Sequence, residues 1–418
     1  MASRRLWPAS GVPGSGFRRL WAAATVSTLG DGMYLAALSL LAAELTRDPL
    51  AVSVVTSAGW LPWLLFALPA GALVDRLDRR RVMWVVDSVR ALVVGVLTVA
   101  VVAGWVSIPL LAVAGFLVGA GQTLFENAAQ AMVVAVVGRD PRRLERANGQ
   151  LVASLTVGQQ LVGPPAGSAA FAVAAWLPFL ADAVSFGVSA RLVASIRGRF
   201  RAEEADDPPP VRSLRAEIAE GLRFLFRHRL LRAAVLLVSA SNLAFMAGEA
   251  VLVLFAAEEL GLGSRGYGLL LAAVAVGGLP GSLLAARVGG RVPPARLIVG
   301  GVLAGAVVMA VFGLATDPWV AGAAYAATGA VWGVWNVTLL SLRQAIVPDR
   351  LMGRVVGAIR LVGFGTIPIG ALLGGLAARA LGLRAPYLLG AAVLAVAALA
   401  AAPHITTPAI EAARSEPG

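Results

Sequence analysis

Twelve apolar stretches follow one another along this chain, and the polar gaps between them alternate sharply in arginine content. A membrane span needs roughly 20 mostly apolar residues at about 1.5 Å rise each to cross the hydrocarbon core. The stretches lie near 18–45, 50–74, 82–103, 108–137, 148–170, 175–195, 230–257, 266–286, 295–315, 318–342, 354–378 and 385–402. All 35 basic residues are arginines. Thirty fall in alternate gaps, four (Arg47, Arg265, Arg379 and Arg384) fall in the remaining gaps, and Arg90 lies inside a stretch. Short basic loops resist translocation, so the arginine-rich gaps mark the cytoplasmic side. An even number of spans leaves both termini there. Arg4 and Arg5 superficially resemble a twin-arginine signal, but the first apolar run is too long for a cleaved segment and reads as a span that stays in place.

The charge pattern decides between partners. A net charge of +12 suggests nucleic acid, yet the arginines track loops rather than one folded face, which fits anionic lipid headgroups instead. Only 14% of residues are charged, against about one quarter in soluble domains. The chain has no cysteine, which excludes disulfides and thiol catalysis. Two histidines, far apart in sequence, give no expectation of a metal site. Without lysine there is no phosphate-binding loop of the ATPase type. No nucleophile with a nearby base and no cofactor loop is visible. The expectation is a non-enzyme without cofactor or metal, partnered by the lipid bilayer, a small-molecule substrate and protons, and not by nucleic acid.

The domain reading is an all-α integral membrane protein with twelve transmembrane helices in two pseudo-symmetric six-helix bundles, 1–195 and 230–403. Between them, 196–229 is a cytoplasmic linker, and 404–418 is a cytoplasmic tail. The linker opens with the charged, Pro-rich RFRAEEADDPPP, which buries too little apolar surface to fold. Leu214, Ile218, Leu222 and Leu225 then repeat at helical spacing, an amphipathic helix expected along the membrane surface, with a solvated linker helix as the alternative. The halves look like copies. PAGALVDR after the second stretch answers PGSLLAAR at the end of the eighth, Gly71 answers Gly281, Asp31 answers Asn242, and Asn127 answers Asn336. Weak internal similarity of this kind marks transporters built from repeated bundles.

Polar residues within spans are expensive and face a bundle interior or cavity. Successive helical residues advance by about 100°. Ser27, Asp31 and Tyr34 therefore align in the first span, Gln122, Glu126 and Gln130 in the fourth, Asn242 and Glu249 in the seventh, and Trp332, Asn336 and Arg343 in the tenth, with Trp335 close by. Spans 1, 4, 7 and 10 are expected to line a cavity, and spans 9 and 12, lacking ionisable residues, to face lipid. No basic residue is expected at the depth of Asp31, Glu126 and Glu249; Arg90 is expected to pair with Asp87, three residues before it. Burial makes an ionised carboxylate costly, so these acids suit proton exchange against a cationic or polar substrate. The bland alternative makes them hydrogen-bonded struts. Asp182 reads as such a strut in a peripheral sixth span. Tyr34, Trp332 and Trp335 suit stacking on an aromatic or cationic ligand, whereas Trp60, Trp63 and Trp105 suit interfacial anchoring.

Between the second and third spans stands Gly71-Ala-Leu-Val-Asp75-Arg76-Leu-Asp78-Arg79-Arg80-Arg81. It resembles the signature loop of the major facilitator superfamily, G-x-L-x-D-R-x-x-R-R-R. The resemblance implies that Gly71, Asp75, Arg76, Arg79 and Arg80 form a conformational latch between the bundles. Ala285 and Ala286 replace its Asp-Arg pair in the second half, leaving one working copy. In the fifth span, Gly158, Gly163, Pro164 and Gly167 are similar to the antiporter motif of the superfamily's drug exporters, with one extra residue before Gly163-Pro164 and Ser168 where a final Gly is usual. FRRLW with Gly30-Asp31, Asp87 to Arg90, Arg146-Ala147-Asn148 and Glu220 to Phe224 resemble the macrolide-efflux and enterobactin-exporter branch. That branch implies proton-driven export of drugs and siderophores, so the expectation is efflux of moderately lipophilic compounds, cationic ones included, by alternating access in the cytoplasmic membrane; because one chain already holds both bundles, it is expected to act as a monomer. One departure matters: the fourth span lacks the Arg found in many proton-coupled drug exporters. Import, export of a native metabolite, or a non-transporting sensor or scaffold are the competing readings.

Overall fold

The computed structural model of the chain describes residues 14–138, 140–198, 200, 214–347 and 349–415. Within these, the side chains of 67–69, 72, 75, 76, 214–218, 286, 345, 349–354, 356, 414 and 415 fall outside the description. Arg4, Arg5 and the Pro-rich part of the linker at 201–213 therefore lie outside the described residues. Every apolar stretch is helical, and no strand occurs among the described residues. Inside hydrocarbon each backbone donor and acceptor must be paired within its own segment, which a helix achieves.

The elements are α1 (Ser15–Leu45), α2 (Pro49–Arg76), α3 (Arg79–Ala103), α4 (Ile108–Val137), α5 (Pro141–Leu155), α6 (Gly163–Phe171), α7 (Leu177–Ala194), α8 (Leu214–Arg227), α9 (Arg229–Glu249), α10 (Leu252–Glu258), α11 (Ser264–Gly289), α12 (Pro294–Leu314), α13 (Pro318–Ile346), α14 (Asp349–Leu381), α15 (Ala385–Ala401) and α16 (Thr407–Ser415). Nine helices among the described residues are long and apolar enough to cross a membrane. Of the other stretches, the fifth is divided by a π-helical turn at Thr156–Val162, the twelfth has only 17 residues, and the tenth is a 29-residue helix carrying Trp332, Trp335 and Asn336.

Local chemistry sets the helix ends. Asp78, Asp140 and Asp317 cap α3, α5 and α13 by accepting backbone N–H bonds from Arg81, Arg143 and both Trp319 and Val320. Proline follows two of these caps directly, at Pro141 and Pro318, where its missing N–H costs nothing. Gly104 ends α3 in the left-handed region at φ 72°. Three of the four arginines in arginine-poor gaps meet carboxylates: Arg384 with Glu259 at 2.9 Å, Arg47 with Glu258 at 3.6 Å and Arg379 with Asp48 at 3.7 Å.

The chain divides into two compact units, one of 1–45, 58–206 and 267–272, the other of 46–57, 207–266 and 273–418. Each has its own core. Phe17, Leu20, Met83, Met132 and Ile196 centre the first; Leu230, Ile298, Val302, Leu342 and Leu394 centre the second. Helices present one buried and one open face. In α3, Met83, Asp87, Arg90, Val94 and Leu97 are buried while Val89, Leu92, Val96 and Val99 are exposed, a stripe suited to acyl chains.

Both the linker helix and the tail have packing partners. The described part of α8 packs on its own unit rather than lying free: Leu225 is buried against Leu231, Val235, Val355 and Ala358. The tail likewise holds α16, whose Ile410, with Ile405 just before the helix, joins the core of the second unit. In both cases burying a few branched side chains outweighs solvation of a short amphipathic segment.

Candidate functional site

The first unit is built around one buried cation. Arg90 of α3 donates to the Asp31 carboxylate of α1 at 2.6 Å and to Gln122 Oε1 of α4 at 2.6 Å, and reaches Asp87 at 3.4 Å. Its guanidinium carbon sits 3.8 Å from the centroid of the Phe186 ring, a cation–π contact from α7. Side-chain exposure is 2% for Arg90 and 6% for Asp31, so this is a fully desolvated pair. Asp87 is also held by the Ser189 hydroxyl at 2.6 Å. From Arg90 the chain of polar contacts continues outward, since Gln122 Nε2 donates to Glu126 at 2.8 Å.

This corrects the expectation that no base stands at the depth of Asp31. Arg90 of α3 and Asp31 of α1 find each other across 59 residues of sequence. The local Asp87–Arg90 pair exists, but at the longer distance. Asp182 corrects a second expectation. Its span, α7, is packed on α1 and α3 rather than peripheral. The carboxylate is wholly buried, takes the Ser185 hydroxyl at 3.2 Å, and leaves Oδ2 without a partner. Gly30 makes room for it, because a Cβ there would strike Ser185 Oγ and Asp182 Oδ1. Gly121 does the same for Arg90, whose Cγ would lie 2.7 Å from an added methyl.

Among the other expected residues, Tyr34 is buried with its ring edge-on to Phe179 and its hydroxyl unpartnered. It is therefore part of the packed interior. Asn127 donates to the Thr123 carbonyl at 2.7 Å and faces Gly71, and Gln130 is exposed.

The Gly-Pro element of the fifth stretch closes this site from the side. Added Cβ atoms at Gly158, Gly163 and Gly167 would meet Thr28 Oγ1 at 2.7 Å, Gly32 Cα at 2.7 Å and Met33 Cα at 2.5 Å. These glycines let α6 and the turn before it press onto the α1 backbone around Asp31. The extra residue in the motif is absorbed by the π-helical turn, where the Gly163 N–H bonds back to the Gly158 carbonyl, five residues earlier. Pro164 follows immediately, in the first turn of α6, where the helix can spare its N–H.

The described part of the signature loop grips the exit of α7 within the same unit. Arg80 donates to the Ile196 carbonyl at 2.7 Å, Asp78 accepts from Phe200 N–H at 3.0 Å, and Arg79 N–H bonds to the Phe200 carbonyl at 3.3 Å. The Asp75 and Arg76 side chains lie outside the described residues.

The second unit carries its own polar centre, a cavity of about 50 Å³ lined by Glu249, Phe245, Tyr325, Trp332, Trp335 and Tyr387. Tyr325 donates its hydroxyl to Glu249. Trp332 stands edge-on to both Trp335 and Phe245, and the Trp335 indole nitrogen is buried without a partner. Met309 and Phe312 of α12 and Tyr387 and Leu394 of α15 complete the wall. Spans 9 and 12 thus do not face only lipid: Val307 and Val396 are exposed, while the opposite faces line this cavity. Asn242 and Asn336 are elsewhere. Asn242 donates to the Gly363 carbonyl at 2.9 Å, and Asn336 is exposed beside Arg343 at a separate cavity. Tyr325 escaped sequence reasoning although it precedes Trp332 by seven residues and so shares its helix face. We expect Tyr325→Phe to lower thermal stability in detergent by about 1–3 kcal/mol, because it removes the donor from a buried carboxyl group. Unchanged unfolding would show that the pair contributes nothing.

Apolar helices in two compact units, with carboxyl groups buried at mid-helix, define a multi-pass membrane transporter fold. Residues 10–418 match the model of the transmembrane secretion effector family, and the chain belongs to that family of the major facilitator superfamily. It is 30% identical over 373 residues to the multidrug efflux pump Tap of Mycobacterium tuberculosis, covering 88% of each chain. A bacterial homologue of the human lysosomal transporter Spinster, solved inward-facing and occupied, superposes with a TM-score of 0.74 at 15% identity, over 96% of this chain and 98% of that one. The nucleoside transporter NupG superposes with a TM-score of 0.73 at 12% identity, over 93% and 98%. At those identities the likeness is one of fold.

Proposed function

We propose that this transporter exports moderately lipophilic compounds, cationic ones among them, in exchange for protons. The observation that carries the reading is the charge imbalance around Arg90. One guanidinium faces Asp31 and Asp87, with Asp182 within electrostatic reach, and is wired through Gln122 to Glu126. A buried charge needs a counter-charge or a proton. One cation can neutralise one carboxylate, so the remaining acids balance only by carrying protons. A proton arriving at Asp31 weakens its hold on Arg90, and the guanidinium then rests on Asp87 and Gln122. That shift passes to Glu126 through the Gln122 amide. A cationic substrate competes for the same carboxylates, which couples its release to proton uptake. The named activity of the relative, multidrug efflux, supports the outward direction. In this reading the protein sits in the cytoplasmic membrane with both termini inside, works as a monomer and alternates access between the two sides. Each charge moved inward contributes about 2.3 kcal/mol per 100 mV.

The test uses everted membrane vesicles and a fluorescent cationic drug. Uptake should stop when the proton gradient is collapsed. Asp31→Asn and Glu126→Gln should each lower the initial rate at least about tenfold, one pair-sized loss of 1.4 kcal/mol, with insertion into the membrane intact. Full rates in both variants would remove these residues from the mechanism. Uptake that ignores the gradient would remove proton coupling, and drug movement only in right-side-out vesicles would make the protein an importer.

A further inference from the structure

Outside the transport machinery, the second unit carries a seam between α9 and α15 that ends in a basic pocket. At its cytoplasmic end a cavity of about 300 Å³ is lined by Arg229, Arg232 and Leu236 of α9, by Ala397 and Ala400 of α15, and by His404. Among the described residues, no carboxylate lies within ion-pair distance of either arginine. Arg232 makes only a long contact, 3.5 Å, to the Phe226 carbonyl. Along the same seam runs a second cavity of about 810 Å³ whose lining is entirely apolar, with Leu243, Ala247, Leu376, Leu389, Val393 and Val396 among its walls. Ala397 belongs to both.

Helical geometry joins the two. Arg232 and Leu243, and Leu236 and Ala247, are each 11 residues apart, about three turns, so they stand on one face within about 20°. Measured along α15 at about 1.5 Å per residue, the groove runs from Ala397, about 6 Å from Ala401, to Pro386, about 22 Å from it, a length of about 16 Å. That is roughly the depth of one leaflet of a core about 30 Å thick. Leu389 and Val396 are 47% and 67% exposed, so the groove opens sideways rather than into the protein.

We propose that this seam binds one anionic phospholipid of the cytoplasmic leaflet, its phosphate held by Arg229, Arg232 and His404 and one acyl chain lying over Val393 and Leu389. The occupant follows from charge complementarity at one end and a purely apolar, membrane-deep groove at the other. A soluble anion satisfies only the pocket, and a neutral lipid only the groove. This site is independent of the proposed efflux reaction.

The test is binding of fluorescent phosphatidylglycerol to the full chain in detergent, with phosphatidylcholine and inorganic phosphate as competitors. Phosphatidylglycerol should bind about thirtyfold more tightly than phosphatidylcholine, the contribution of two arginines near a headgroup. Arg229→Gln with Arg232→Gln should abolish that preference. Arg229→Lys with Arg232→Lys should keep most of it, which separates charge from folding. Arg223→Gln with Arg227→Gln, an equal charge loss on α8, should leave it unchanged. Ala397→Trp, which fills the junction, should weaken both lipids alike. Equal affinity for the two lipids, equal loss in the α8 pair, or full displacement by millimolar phosphate would each overturn the proposal.

Discussion

Arg90→Met is expected to abolish drug transport and to destabilise the protein by about 3–5 kcal/mol, the usual cost of stripping one partner from a buried ion pair. The argument is geometric. Arg90 is touched from α1 by Asp31, from its own helix by Asp87, from α4 by Gln122 and from α7 by Phe186. Removing it leaves buried carboxylates facing one another with no cation between them. Asp31→Asn alone should be milder for stability, since Arg90 keeps Asp87 and Gln122. The double variant Arg90→Met with Asp31→Asn should recover part of the lost stability and none of the transport. Differential scanning fluorimetry read beside drug susceptibility of expressing cells separates the two effects. Native stability in Arg90→Met would mean that the pair is not the keystone of this unit, and native transport would end its mechanistic role.

The second large effect is expected at Gly167. An added methyl there would meet Met33 Cα and carbonyl oxygen at 2.5 Å and the carbonyl carbon at 2.9 Å, all backbone atoms that cannot rotate away. Overpacking a side chain costs about 1–3 kcal/mol, and a rigid backbone neighbour puts this site at the upper end. Gly167→Ala should therefore push α6 off α1, lower the melting temperature and stop transport, because Asp31 lies two residues from the contact. Gly163→Ala, opposed by Gly32 Cα at 2.7 Å, should behave alike. Gly149→Ala is the control: nothing lies within 4 Å of its Cβ position, and alanine favours a helix by about 1 kcal/mol. If all three variants behave the same, close approach of the backbones is not the purpose of these glycines.

These contrasts show which physics a sequence carries openly. The apolar stretches were readable because hydrocarbon thickness imposes a length, and all twelve are helical. Contacts made at long range were not. Asp31 has no basic residue near its depth in its own stretch, and Arg90 has Asp87 three residues before it, so local spacing pairs Arg90 with Asp87; nothing in a linear pattern tells which helices touch. Nothing in the sequence of the sixth span marks it as central, yet Asp182, with one oxygen on Ser185 and the other unpartnered, lies in the middle of the first unit. In the second unit, excluding helices without ionisable groups hid Phe312 and Tyr387, which line the Glu249 cavity with rings rather than charges.

The wide turn at Thr156–Val162 has one more effect on how this helix must wind. An i→i+5 ring takes up a surplus residue locally, so segments on either side keep the phase they would have without it. A relative one residue shorter here would aim the equivalents of Gly163 and Gly167 the same way, through an unbroken α-helix. If instead the turn tightened with every residue retained, all that follows Val162 would swing by about 100°. Both glycines would then leave Gly32 and Met33, and bulkier neighbours would arrive in their place. The surplus residue and the close fit against the first helix therefore stand or fall together.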